Sequence, residues 1–233
     1  LSPAWSPDGK RIAYVSFQKG SSAVYIVELA TGARATEPVS NAKGINGAPA
    51  FSPDGSKLAL TLSKSGNPEI YVMDIASRSL RQVTTHYGID TEAVWMPDGQ
   101  TLLFTSDRGG KPQIYQVSAA GGEAKRVTFT GEYNARATVS YDGRKIATAQ
   151  GTGSVYRIAL LDRSFGGNGR SQTLSPGNLD ESPSFAPNAS MILYATKEGR
   201  RGVLYAVSAD GRVRQRLVLS EGDVREPAWS PYR

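Results

Sequence analysis

Three glutamates and one arginine are the side chains whose spacing in this 233-residue sequence could serve chemistry. Glu92, Arg136 and Glu226 each stand three residues before a recurring apolar or aromatic position, and Glu181 stands four residues before another. Two carboxylates held close together can perform acid–base catalysis. Carboxylates combined with backbone carbonyls can instead hold a cation, so the three glutamates are also a candidate calcium site.

The composition excludes several other kinds of site. There is no cysteine, which excludes disulfides, thiol catalysis and cysteine-based zinc sites. The single histidine, His86, argues against a Ser-His-Asp triad and is interpreted as a solvated or hydrogen-bonded loop residue. The net charge of +6 is modest and most basic residues are scattered, so we expect no nucleic-acid binding. No apolar run approaches the length of a membrane span, so we expect no membrane insertion.

A motif recurs along the whole chain. The segment Pro3–Tyr14 returns as Pro49–Leu60 and again as Ala93–Phe104, and weaker copies follow. Each copy contains one aromatic or valine anchor, and the six anchors are Trp5, Phe51, Trp95, Val139, Phe185 and Trp229. Such self-similarity at a fixed period indicates one structural unit per copy.

Each copy predicts four short strands, A to D, because short apolar and aromatic runs alternate with Gly, Pro, Asn and Asp. In the first copy the strands cover Pro3–Ser6, Arg11–Ser16, Ala23–Leu29 and a segment near Arg34–Val39. Pro-Asp-Gly tripeptides predict tight A–B turns, since Pro presets φ and Gly accepts the left-handed position. Repeated four-stranded units predict a β-propeller, in which each sheet buries both faces against its neighbours.

The number of copies predicts an all-β, six-bladed β-propeller whose closing blade is incomplete. Five complete units are followed by a sixth copy that supplies only an inner strand, Pro227–Pro231. We expect residues 1–233 to form one propeller domain and the missing strands to precede Leu1. No charged and then apolar leader follows Leu1, so we expect any export signal to have been removed already. A five-bladed ring is the competing expectation.

We expect the functional residues on one rim of the ring. The D-to-A connections and the B-to-C loops emerge there, and their sequences differ between copies. The positions three residues before the anchors should circle the mouth of the channel: Ser2, Ala48, Glu92, Arg136, Ser182 and Glu226. This mixture of carboxylates, arginine and small residues favours binding a loop or extended segment of another protein over catalysis.

Two enzymatic alternatives stay open. One is a propeller that gates a serine peptidase of the prolyl-oligopeptidase type, although its Gly-x-Ser-x-Gly motif does not occur here. The other is a metal-dependent propeller hydrolase, which needs several ligands around a channel cation. We predict a non-enzymatic module that requires no cofactor.

The repeats resemble those of the TolB family, although prolyl-oligopeptidase propellers share the basic motif. The resemblance is carried by Trp5–Tyr14, by the Gly-x-Pro-x-Ile-Tyr segments Gly66–Tyr71 and Gly110–Tyr115, and by the ending Glu226–Tyr232. It covers the whole chain. It implies a periplasmic component of the Tol–Pal system of Gram-negative bacteria, with a six-bladed propeller and an N-terminal α/β domain that is absent from these residues.

The resemblance also implies a function. The propeller, which we expect to be monomeric, would bind the peptidoglycan-associated lipoprotein and support outer-membrane integrity and cell division. TolA and colicin translocation segments are further expected partners. The implied binding residues lie on the rim before strand A: Ile45, Asn46, Ala48, Thr91 and Glu92, with Asn134, Ala135, Arg136, Asp180, Glu181 and Arg225 as neighbours. Asp90 and Glu226, which share that rim, complete the predicted set.

Overall fold

The computed structural model describes residues 1–32, 37–219 and 222–231, and these residues form five antiparallel β-sheets. The one helical element among them is a single 3-10 turn, Arg163–Phe165. No described helix is long and apolar enough to cross a membrane. The predicted all-β class is therefore confirmed.

The sheets follow one another along the chain as blades 1 to 5. Their strands, in chain order, have the following bounds. Blade 1 contains β1 (Ala4–Trp5), β2 (Arg11–Ser16) and β3 (Ala23–Glu28). Blade 2 contains β4 (Asn46–Phe51), β5 (Lys57–Leu62), β6 (Glu69–Asp74) and β7 (Leu80–Gln82). Blade 3 contains β8 (Asp90–Trp95), β9 (Thr101–Ser106), β10 (Gln113–Ser118) and β11 (Lys125–Arg126). Blade 4 contains β12 (Tyr133–Val139), β13 (Lys145–Thr152), β14 (Val155–Asp162) and β15 (Arg170–Thr173). Blade 5 contains β16 (Glu181–Phe185), β17 (Met191–Glu198), β18 (Arg201–Ser208) and β19 (Arg214–Leu217).

Blades 2 to 5 have the predicted four strands in consecutive antiparallel order. Blade 1 has three described strands, with an isolated bridge between Val24 and Ser40 beside them. The fourth strand expected near Arg34–Val39 falls partly on residues 33–36, which lie outside the described residues.

The Asp-Gly turns form as predicted, and the turn after Ser52 illustrates the chemistry. The Gly55 N–H donates to the Ser52 carbonyl at 2.8 Å, and Gly55 has φ +73°, a conformation that favours glycine. The Ser52 hydroxyl and the Ser56 N–H both donate to Asp54. These bonds, that of Ser52 first, lower the pKa of Asp54 to about 2. The A–B turns are therefore scaffold.

The blades stack through their inner strands, since β1 contacts β4, β4 contacts β8, β8 contacts β12 and β12 contacts β16. Trp95 shows how the anchors join blades. It is 8% exposed and packs in one cluster with Ala59 and Val72 of blade 2. Its indole N–H also donates to the Ala50 carbonyl of that blade at 3.1 Å. The prediction that anchor aromatics pack between blades is confirmed at this position.

The expected six-bladed ring with an incomplete closing blade is wrong for this structure, which has five blades. The sixth copy, Pro227–Pro231, contains no strand. Its main-chain contact with blade 5 is a bond from the Trp229 N–H to the Ser184 hydroxyl at 2.9 Å, not a strand ladder. A strand needs a hydrogen-bonded neighbour along its length, and the described residues provide none for this segment.

Removal of the Trp95 side chain tests the packing between blades 2 and 3. We expect Trp95→Ala to lower the free energy of unfolding by about 3–5 kcal/mol, because it leaves a cavity between the two sheets. Trp95→Phe should cost about 1–2 kcal/mol, since Phe51 and Phe185 show that the anchor position accepts phenylalanine. Urea denaturation followed by circular dichroism measures both. Tyr141→Ala, at a 69% exposed position, is the control, and an equal effect there would contradict the assignment.

Candidate functional site

The six positions predicted to circle the channel mouth do line one opening. This opening, called the mouth below, encloses about 310 Å³ at the start of the inner strands. All six predicted side chains border it: Ser2, Ala48, Glu92, Arg136, Ser182 and Glu226. Ile45 and Thr91, two of the implied binding residues, border it as well. The geometric prediction drawn from the repeat is confirmed.

The same six residues share an unusual backbone conformation. Each has a positive φ although none is glycine, with values of 49° for Ser2, 45° for Ala48, 56° for Glu92, 55° for Arg136, 55° for Ser182 and 50° for Glu226. Where the position lies within a paired strand, the register shifts around it, as between Thr91 and Val94. A left-handed conformation costs a non-glycine residue roughly 1 kcal/mol. The copies therefore repeat one backbone geometry at six equivalent places around the mouth.

Arg136 occupies the centre of the polar contacts at the mouth. Its Nε donates to Glu92 Oε1 at 2.8 Å, and its Nη1 donates to Ser182 Oγ at 2.7 Å and to Glu226 Oε1 at 3.1 Å. Glu226 Oε2 in turn accepts the Ser2 N–H at 2.7 Å. One guanidinium therefore links blades 3, 4 and 5 with the segment that follows blade 5, and Glu226 links that segment to the start of the chain.

The two glutamates of this network differ electrostatically. Burial raises the pKa of Glu92 above its usual value, and the attraction of Arg136 offsets this only in part. For Glu226, burial acts in the same direction, but the Ser2 N–H and Arg136 outweigh it and hold its pKa below the usual value. Burial would lower the pKa of Arg136, yet the two carboxylates raise it, so the guanidinium stays charged. Acidification therefore neutralises Glu92 before Glu226.

Four of the predicted binding residues lie beneath the rim instead of on its surface. They occupy the position five residues before each anchor and are at most 1% exposed: Asn46, Asp90, Asn134 and Asp180. Their side chains organise the loops before strand A. The Asn46 carboxamide accepts the Ala42 N–H at 2.9 Å and donates to the Ala42 carbonyl at 2.7 Å. Asp90 accepts from Arg108 at 2.6 Å. Ala135 is also buried, at 2% exposure.

The remaining implied residues, Glu181 and Arg225, border a second pocket of about 250 Å³ between blades 4 and 5. Tyr133 and Tyr156, whose rings meet edge to face at 5.2 Å, also line this pocket. Arg136 borders both the pocket and the mouth. The structure therefore brings Glu92 and Glu226 together at Arg136, and it places Glu181 to one side.

This separation bears on the candidate cation site. The described residues contain no cluster of three or more acidic or histidine side chains suited to a metal ion. The Oε1 atoms of Glu92 and Glu226 both bind the Arg136 guanidinium, so a metal ion would have to compete with this guanidinium for the two carboxylates. A channel calcium stays a prediction.

Sequence reasoning missed two residues that support the mouth from below, Thr61 and Thr105. The Thr61 hydroxyl accepts the Glu92 N–H at 3.2 Å, and the Thr105 hydroxyl accepts the Arg136 N–H at 3.1 Å. Both lie ten residues after an anchor, on the second strand of their blade. A hydroxyl recurring at one repeat position in two consecutive copies is the signal that could have identified them.

Comparison with known proteins identifies the family of this chain. The model of the TolB β-propeller domain matches residues 1–233. The Tol-Pal system protein TolB of Xanthomonas oryzae pv. oryzae (strain PXO99A) is 70% identical over 233 residues, which are all of this chain and 52% of that protein. The crystal structure of TolB from Acinetobacter baumannii superposes with a TM-score of 0.92 at 52% identity, over all of this chain and 57% of that chain. The chain thus spans about half the length of these relatives.

Enzymes resemble the chain only distantly. The crystal structure of puromycin hydrolase has a TM-score of 0.70 and 16% identity, over 92% of this chain and 36% of that one. At that identity the likeness shows the fold alone, whereas the TolB relatives match in sequence along the whole chain. The prediction of a non-enzymatic domain is confirmed by these relatives, and the chain belongs to the TolB β-propeller family.

Proposed function

We propose that this domain is a periplasmic docking module whose mouth binds the peptidoglycan-associated lipoprotein, and that this contact supports outer-membrane integrity and cell division. Family membership supports this choice of partner, since the related proteins are named Tol-Pal system proteins. Colicin translocation segments would compete for the same opening, and TolA is a further expected partner. The domain performs no chemistry on what it binds.

The observation that carries this proposal is the uneven distribution of exposed apolar side chains. Among the described residues, the chain start and the D-to-A and B-to-C loops, which lie on the side of the mouth, contain most of the large exposed hydrophobics: Leu1, Phe17, Ile45, Tyr87, Ile89, Phe129, Leu179, Val218 and Leu219. The opposite rim carries fewer: Leu29, Tyr141, Phe165 and Val213. Apolar side chains concentrated on one face are typical of a protein interaction surface.

Three of the exposed apolar residues share one repeat position, and Ile45 among them lines the mouth. Ile45, Ile89 and Leu179 each stand six residues before an anchor, and they are 50%, 49% and 44% exposed. They can supply affinity by burying apolar area on binding. The Glu92–Arg136 pair can supply orientation and discrimination, which complementary charges provide more readily than affinity. A protein surface with a projecting polar segment fits this arrangement.

The space above Ala48 offers a direct test of the proposed docking site. We expect Ala48→Gln to weaken binding of the soluble lipoprotein at least tenfold, because the longer side chain fills part of the mouth. Ala48→Ser is the matched control and should bind almost normally. The same left-handed position holds serine at Ser2 and Ser182 and a glutamate at Glu92, so the backbone accepts both substitutions. Isothermal titration calorimetry measures affinity, and melting temperatures verify folding.

Two outcomes of this experiment would count against the proposal. If the unaltered protein shows no binding, the lipoprotein is not its partner. If the folded Ala48→Gln protein binds as tightly as the unaltered one, the partner docks elsewhere.

Binding should also depend on pH through Glu92. Its pKa is raised, chiefly by burial, so it takes up a proton at a higher pH than an ordinary glutamate does. If its charge helps to orient the partner, affinity is fully present at neutral pH and falls as the pH drops through that raised pKa. Titrations between pH 7 and the acid limit of stability measure this. The Glu92→Gln variant controls for the partner's own groups and should lose this part of the dependence. An identical profile in both proteins would exclude Glu92 as the source.

A further inference from the structure

Two buried hydroxyls lie directly beneath the charged pair of the mouth. Thr61 on β5 is 3% exposed and Thr105 on β9 is 5% exposed. Each hydroxyl accepts the backbone N–H of a left-handed residue in the next blade, Glu92 for Thr61 at 3.2 Å and Arg136 for Thr105 at 3.1 Å. These bonds cross from one blade to the next and end on the residues whose side chains form the ion pair.

The hydroxyls make second contacts as well. Thr105 Oγ1 donates to Glu92 Oε2 at 3.3 Å, so this residue touches both members of the pair. Thr61 Oγ1 lies 3.3 Å from Thr91 Oγ1, another residue that lines the mouth. A hydroxyl has one proton to donate and two lone pairs, so each threonine can accept from a backbone N–H and donate elsewhere.

The other copies show that the fold does not require a hydroxyl at this place. The equivalent residues on the second strands of blades 1, 4 and 5 are Val15, Ala149 and Ala195. The left-handed residues that follow them, Ala48, Ser182 and Glu226, therefore have no hydroxyl donor or acceptor at that place. Threonine occurs only in the two consecutive copies that precede Glu92 and Arg136.

From this coincidence we infer that Thr61 and Thr105 are positioning residues, which orient Glu92 and Arg136 for recognition of the partner. A left-handed residue holds its side chain in a direction set by its backbone, and a hydrogen bond to its N–H fixes that backbone. The inference rests on the proposed function, because the benefit of a fixed ion pair is a better match to a partner.

Substitution of each threonine by valine tests the inference. Valine has nearly the same shape as threonine without the hydroxyl, and it already occupies the equivalent position in blade 1, at Val15. We expect Thr61→Val and Thr105→Val each to weaken binding of the soluble lipoprotein about tenfold, the effect of losing the hydrogen bond that holds the backbone N–H of a charged recognition residue. Thr61→Ser and Thr105→Ser keep the hydroxyl and should restore affinity. Val15→Thr is the reverse control. It adds a hydroxyl beneath Ala48, which has no charged group to orient, so affinity should stay unchanged.

A double-mutant cycle separates positioning from a general structural effect. In a Glu92→Ala background, Thr61→Val should weaken binding no further, because the side chain that Thr61 orients is gone. An equal loss in both backgrounds would overturn the inference. So would valine variants that bind as tightly as the unaltered protein.

A partner-independent measurement keeps this inference distinct from the proposed function. The Thr105 hydroxyl donates a hydrogen bond to the Glu92 carboxylate and thereby lowers the pKa of Glu92. Arg136 and Glu226, the charged groups that also face Glu92, are unchanged in a Thr105→Val variant. Thr105→Val should therefore shift the Glu92 titration, followed by NMR of the side-chain carboxyl carbon, to higher pH, and Thr105→Ser should not. If the lipoprotein fails to bind but this shift occurs, the proposed function fails while the positioning role stands. Absence of the shift would refute the role of Thr105.

Discussion

The structure depends on one constraint, which is that the apolar faces of neighbouring blades must be buried against one another. An apolar sheet face must be buried against another element, and the four core clusters lie between blades 1 and 2, 2 and 3, 3 and 4, and 4 and 5. Trp95 meets this need between blades 2 and 3 by packing on Ala59 and Val72 and by donating its indole N–H to the Ala50 carbonyl. Stacking in sequence brings the first strands together. The mouth is a consequence of that convergence, since it is built where those strands begin.

The polar contacts at the mouth add a second level of organisation. Arg136 reaches across the opening to Glu92, Ser182 and Glu226, and Glu226 reaches on to the Ser2 N–H. These contacts join residues from distant parts of the sequence, whereas the apolar packing joins only blades that are consecutive along the chain. Because the pair lies in partly buried surroundings, Coulomb attraction is stronger there than between exposed charges. The network therefore joins blades 3, 4 and 5 to the segment after blade 5 and to the start of the chain, and it sets the charge of the opening.

Much of this arrangement could be predicted from the repeats. The strand Arg11–Ser16 has the expected bounds, and the six residues three positions before the anchors line the mouth as expected, because a shared offset in sequence becomes a shared place in a ring. The ring count failed at Pro227–Pro231, since a motif records local preference and a strand also needs a neighbour. Burial of Asn46 and Asp90 escaped prediction for a related reason. A polar residue in a variable loop looks exposed until its partners, such as Ala42 and Arg108, are known.

The left-handed backbone shared by the six mouth residues has a consequence for how such an opening can change. The same φ accommodates serine, alanine, glutamate and arginine, so the backbone sets where a side chain projects and leaves its identity free. A substitution there exchanges a recognition group without disturbing the packing between sheets. Selectivity can therefore diverge by substitution at Ala48, whereas a change at Glu92, Arg136, Ser182 or Glu226 also alters the polar network of the mouth.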